Sequence, residues 1–135
     1  MNMEEVKAFM KEVGWGDLAT SDGKVVGVRP MGGWAWVEGE LWCATGISTD
    51  KTAQLEAVPY AEYCFNGVQG KHVRIAGACT ISTDAGDKRK LYDLVPGIHD
   101  HVDGPTGAGW VVLRMKPDRV RAVTSGMTYE NVALD

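Results

Sequence analysis

Cysteine is scarce in this sequence and poorly spaced for structural use. Cys43, Cys64 and Cys79 are odd in number, and no two stand close enough to make a C-x-x-C pair. That spacing suits neither a disulfide framework nor a zinc site; it points to a reducing compartment, so a cytoplasmic location is expected. Long apolar runs are missing too, so no stretch has the length of a membrane span. The opening MNMEEVKAFMKEV carries acidic residues where a signal peptide would carry a continuous apolar core. Basic residues are outnumbered, 14 Lys and Arg against 18 Asp and Glu, for a net charge of −4. A phosphate backbone needs a basic footprint, so nucleic acid is not expected as a partner. Any phosphate held here is held locally, by a few placed groups. There is no G-x-G-x-x-G after a strand, no P-loop and no G-x-S-x-G elbow. No internal repeat or linker is visible, and residues 1–135 are read as a single domain.

What the sequence does have is glycine, 17 residues of it, and five tryptophans. Few long helical patterns accompany them, so the glycines suggest tight turns between strands. Val6, Phe9, Met10 and Val13 follow i, i+3, i+4, i+7 and predict a short amphipathic helix, ended by Gly14 and Gly16. DLAT, the turn Ser21-Asp22-Gly23, and KVVGVRP read as two strands. WAWV turns through Glu38-Gly39 into ELWCATG as a second hairpin. In ISTDKTAQLEAVP, Ser48, Thr49 or Asp50 caps a helix that stops before Pro59. AEYCFN and KHVRIAGACTIST are strands again, with Cys79 in phase with Val73, Ile75 and Ile81 as a small core residue. DAGDKRKLYDLVPGI places Leu91, Leu94 and Val95 at helical spacing before Pro96, and a Gly/Pro-rich loop leads into GWVVLRMKPDRVRAVT, one long strand or a bent pair. The tally is about six strands, dominated by antiparallel hairpins; a closed or partly closed barrel removes their edges.

ATGISTDKTAQL is the most informative stretch. Ala44, Thr45 and Gly46 end a strand in small residues that let a ligand approach the backbone. Ser48 and Thr49 open a helix whose first N–H groups have no internal partner. Those donors, the helix dipole, the two hydroxyls and the Lys51 ammonium can together hold a phosphate. Taken alone, the same stretch is also an ordinary N-cap with a solvated lysine. Arg29 in VGVRPM adds to it: Val26 and Val28 are expected to be buried, and Pro30 cannot donate to a ladder, leaving a gap where a ligand can bind backbone groups.

In order, the strand ending in VRP, the hairpin, the ATG strand end and the S-x-x-K helix resemble the pyridoxamine 5′-phosphate oxidase-like, FMN-binding split-barrel superfamily. The resemblance runs from about Gly16 to Ala122 and is strongest over Val28 to Pro59. It implies a mainly β, six-stranded antiparallel split β-barrel with flanking helices, working as a homodimer with FMN at the interface. Position by position, it implies Arg29, Pro30 and Met31 beside the flavin and its phosphate tail, and Ala44 and Thr45 against the cofactor. Ser48, Thr49 and Lys51 fall at the phosphate, and His72 reaches the flavin from the partner chain. Asp50 stands where the oxidases have a second basic residue, which weakens the phosphate site. The oxidases' longer C-terminal segment has no counterpart, so vitamin B6 oxidation is not expected; the short, general-stress-type branch is the better match.

Trp34, Trp36, Trp42 and Trp110 could stack on a flavin ring, although packing is the commoner role for tryptophan. His99-Asp100-His101 with Asp103 invites a metal reading, but histidines two apart share no helix face, and the stretch reads as a solvated helix end or loop. No residue is an evident general base, which suits hydride or electron transfer through FMN to a small acceptor. The competing readings are a non-catalytic FMN carrier, electron-transfer partner or redox sensor, and the same barrel with deazaflavin or haem. Asp50 and the acidic balance count against deazaflavin.

Overall fold

The computed structural model describes residues 1–135. Helix α1, Met3–Val13, begins with a capping box in which Asn2 accepts from the Glu5 N–H and Glu5 accepts from the Asn2 N–H. Its apolar stripe, Met3, Val6, Phe9 and Met10, is buried. Strands β1 (Gly16–Ser21) and β2 (Val26–Met31) form the first hairpin, and β3 (Trp34–Val37) and β4 (Glu40–Gly46) the second, turning through Glu38-Gly39. Helix α2, Asp50–Ala57, is capped by Thr49, whose hydroxyl accepts from the Thr52 N–H, and it stops at Val58 before Pro59. Strands β5 (Tyr60–Asn66) and β6 (His72–Ser82) follow. Helix α3, Ala85–Leu94, is capped by Asp84 and runs into a single 3-10 turn, Pro96–Ile98. Strand β7, Trp110–Val123, is one continuous strand, and a three-residue β8, Glu130–Val132, pairs with it.

Every pairing is antiparallel, in the order β2-β1-β5-β6-β7-β4-β3. The sheet is curled rather than flat. Trp34 on β3, at one edge, meets Phe65 on β5 edge-to-face, with ring centroids 5.5 Å apart, although three strands separate them along the sheet. Only a half-barrel that folds its inner face on itself allows that contact, and a core of 19 buried residues fills the inside. The fold is a mainly β split barrel with three helices. No helix is long and apolar enough to cross a membrane.

Two expectations need correcting. The sheet path holds seven strands, not six, because every one of the seven strand-like segments, WAWV included, forms a strand of the sheet, and β8 is added on β7. Val26 and Val28 are not buried; they are 70% and 64% exposed. They lie on the outward side of β2, an edge strand, so their alternation marks a free face instead of a core face. Cys79 is half-buried against the core, beyond a register shift at Ala76/Gly77 that breaks the period-two pattern of β6.

Candidate functional site

Where β4 ends and α2 begins, the barrel opens into a cavity of about 700 Å³. One wall is the strand end Ala44, Thr45 and Gly46, joined to the start of β7 by a hydrogen bond from the Ile47 N–H to the Gly109 carbonyl, 3.0 Å. A second wall is Pro30 and Met31 with the β2–β3 turn, Gly32 and Gly33. Gly33 has φ +65°, and a Cβ there would stand 2.7 Å from Ile98 Cγ2, so only glycine lets this turn close against the 3-10 turn. The Trp15 indole, 63% exposed, forms part of the rim and packs over Gly32. The roof is the loop between α3 and β7, which contributes Ile98, His101, Val102 and Asp103.

Lys51, in the first turn of α2, reaches this cavity half-buried and forms no ion pair. Burial pulls its ammonium below the usual lysine range, and the Arg29 charge pushes in the same direction. Thr45 lines the cavity, but its Oγ1 is fully buried behind that wall, one of five buried side-chain polar atoms without a hydrogen-bond partner. A half-buried cation without an ion pair, beside a strand end of small residues, suits an anion. An anionic ligand would pair with Lys51, and a turn of the Thr45 side chain would bring its buried hydroxyl to the same ligand.

Five of the nine residues singled out from sequence thus meet at one cavity: Pro30, Met31, Ala44, Thr45 and Lys51. Arg29 does not line it. Its guanidinium donates to Thr20 Oγ1 (2.6 Å), the Leu18 carbonyl (3.2 Å) and Gln54 Oε1 (3.5 Å), clamping α2 to the β1–β2 hairpin. Ser48 is exposed, and the Thr49 hydroxyl is occupied as the helix cap. His72 lies outside the cavity of its own chain, its Nδ1 on the Gly70 carbonyl (2.8 Å) and its Nε2 on the Tyr129 hydroxyl (2.7 Å). The two loop histidines separate: His99 stacks on Tyr92 with centroids 3.8 Å apart, while His101 lines the cavity. Among the tryptophans weighed as ring-stackers, Trp110 is buried at the cavity wall and Trp42 packs under Arg114.

The sequence reading missed Trp15, the Gly32-Gly33 turn and the cavity-facing role of the roof loop. A tryptophan between two glycines, and a Gly/Pro-rich loop longer than a connection requires, are the signals that mark such positions. Cys43, next to Ala44, faces the core; burial pushes its thiol up to about 11, so it is no nucleophile at neutral pH.

Comparison with known proteins follows this geometry. The family model described as pyridoxamine 5′-phosphate oxidase matches residues 3–124. The chain belongs to that family. Among solved structures, a NimC/NimA family protein from Clostridium acetobutylicum superposes with a TM-score of 0.83 at 22% identity, covering 96% of this chain and 90% of that one. General Stress Protein 26 from Bacillus anthracis gives 0.73 at 15%, covering 94% and 98%. A pyridoxamine 5′-phosphate oxidase-related, FMN-binding protein from Nostoc punctiforme gives 0.70 at 17%, covering 95% and 86%. At these identities the structural likeness speaks for the fold. No curated protein sequence matches the chain.

Proposed function

We propose that this cavity holds FMN, and that the protein passes hydride or electrons through it to a small acceptor. The observation that carries the reading is Lys51, a half-buried cation without an ion pair that reaches the cavity beside the strand end Ala44, Thr45 and Gly46. Membership of the oxidase family and the FMN-binding relative from Nostoc support the choice of ligand. Lys51 binds the phosphate, with Thr45 and the free N–H groups at the start of α2 as further donors. Ser48 and Thr49 flank that phosphate; Arg29 acts on it through Gln54 and α2 rather than by touching it. Pro30, Met31 and Ala44 lie along the ring, where the absence of bulky side chains at Gly32 and Gly33 leaves room for a flat group. When bound, FMN supplies the redox chemistry, and the protein supplies orientation, desolvation and charge.

The same reading makes the active unit a homodimer. Val26 and Val28 present apolar surface on an unpaired strand edge, a second copy would cover it, and His72 would reach the ring from that copy. Three free thiols suit a reducing, cytoplasmic setting.

Replacing Lys51 tests the anchor. A charge-assisted hydrogen bond contributes about 1.5–3 kcal/mol, so Lys51→Ala is expected to raise the FMN dissociation constant roughly 10- to 100-fold, read by quenching of flavin fluorescence. Unchanged affinity in that variant would remove the phosphate assignment. Steady oxidation of a nicotinamide with an artificial acceptor makes the protein an enzyme. Bound flavin that no nicotinamide or ferredoxin-type donor reduces makes it a carrier or sensor.

A further inference from the structure

The protein has three histidines, and two of them are tied down. His72 holds the Gly70 carbonyl and the Tyr129 hydroxyl, and His99 is stacked on Tyr92 with Nε2 bonded to the Tyr92 carbonyl at 2.7 Å. His101 is exposed at the mouth of the cavity it lines; its ring bonds no protein group, and only its backbone N–H is used, on the Ile98 carbonyl at 2.9 Å.

His101 is also held in place. The roof loop that carries it is pinned at several points: Asp103 Oδ2 accepts from the Gly109 N–H at 3.2 Å, and Trp110 Nε1 donates to the Gly104 carbonyl at 3.0 Å. Lys88, itself buried, donates to the Gly107 carbonyl. A ring free to bond, carried on a pinned backbone, can meet a ligand with little backbone ordering. The cavity it lines also carries the apolar side chains of Ile98, Val102, Trp15 and Trp110, with bare backbone at Gly97. Lys51 and Asp103 are the other ionisable groups on the cavity wall, and Asp103 is engaged by the loop it pins.

We infer that the space under residues 95–109 receives a second ligand, a planar conjugated molecule carrying a carbonyl oxygen, of the quinone class, and that His101 donates the hydrogen bond that orients it. The inference rests on the flavin reading insofar as it makes this ligand the electron acceptor. The apolar side chains select the flat conjugated body, and His101, the free donor on the roof, selects an oxygen acceptor. Neutral or protonated, an imidazole has a donor to offer, so the contact does not depend on its charge.

The probe for the test is 4-hydroxyacetophenone, a planar ketone with no redox activity of its own here. It is titrated into the protein with and without FMN while the ring resonances of all three histidines are followed by NMR. His101 is expected to shift on saturation, with His99 unmoved. His101→Phe keeps a flat ring and loses the donor, and should weaken probe binding about tenfold; His101→Gln keeps a donor and should stay within about threefold of the wild type. Thermal midpoints matching the wild type establish that both variants are folded. Unmoved His101 signals, or wild-type probe affinity in His101→Phe, would overturn the inference while leaving FMN binding intact. Failure of the wild-type protein to retain FMN, with His101 still responding to the probe, would remove the flavin and keep the His101 site.

Discussion

Deleting the Thr45 hydroxyl separates ligand binding from folding. Thr45 is 7% exposed and its Oγ1 has no partner, so the hydroxyl is a cost to the empty protein. Thr45→Val keeps the shape and removes the unpaired group. Urea unfolding of the FMN-free variant is expected to show stability unchanged or raised by up to about 1 kcal/mol, while its FMN affinity falls several-fold. A clear loss of stability would mean the hydroxyl is already paired and is not waiting for a ligand. At this scale the sequence was legible in part. Small residues at a strand end and a lysine in the next helix could be read from ATGISTDK. That Arg29 turns away from the cavity to clamp α2 could not, because its partners Thr20 and Gln54 lie 9 and 25 residues away and meet it only after folding.

Among the elements, β6 and β7 form the long spine of the barrel, and at Gly77 the backbone of β7 leaves no room for a side chain. A Cβ at that position would lie 2.1 Å from the Lys116 carbonyl oxygen, and backbone cannot rotate out of the way as a side chain can. Gly77→Ala is expected to cost about 2–4 kcal/mol in urea unfolding. Gly97→Ala, where an added methyl meets nothing within 4 Å, should stay within about 0.5 kcal/mol. Equal effects would show that the crossing is not constrained. The elements themselves were readable from local chemistry: the stripe Val6, Phe9, Met10 for α1, the cap Thr49 and stop Pro59 for α2, and the Glu38-Gly39 turn between β3 and β4. The register shift beside Gly77 was not, since a bulge is set by the partner strand and leaves no period in the sequence.

For the molecule as a whole, β2 is an edge strand that leaves Val26 and Val28 exposed. Val26→Lys combined with Val28→Lys adds charge to an already exposed face, so the folded monomer should lose no more than about 0.5 kcal/mol per site. Sedimentation should show the wild type as a dimer and the double variant as a monomer with weakened FMN retention. A double variant that stays dimeric would place the interface elsewhere, and a monomeric wild type that keeps FMN would end the two-copy reading. Alternating valines suggested a buried strand because period two states only that a strand has two faces. Which face meets the core depends on where the strand sits in the sheet, and β2 sits at its edge.

By itself, then, the sequence determined that this chain is a β-rich fold of short hairpins with small capped helices, and that one strand-to-helix junction sets small residues, hydroxyls and a lysine side by side. Those features rest on periodicity, caps and turn residues, which act over a few positions. The tertiary structure decided that the sheet curls, that β2 is an edge, that Lys51 and Thr45 share a cavity with Trp15 and His101, and that Arg29 does not. Each of these depends on contacts between residues far apart in the chain. Their pairing is selected by how the sheet closes around its core, and no local pattern encodes it.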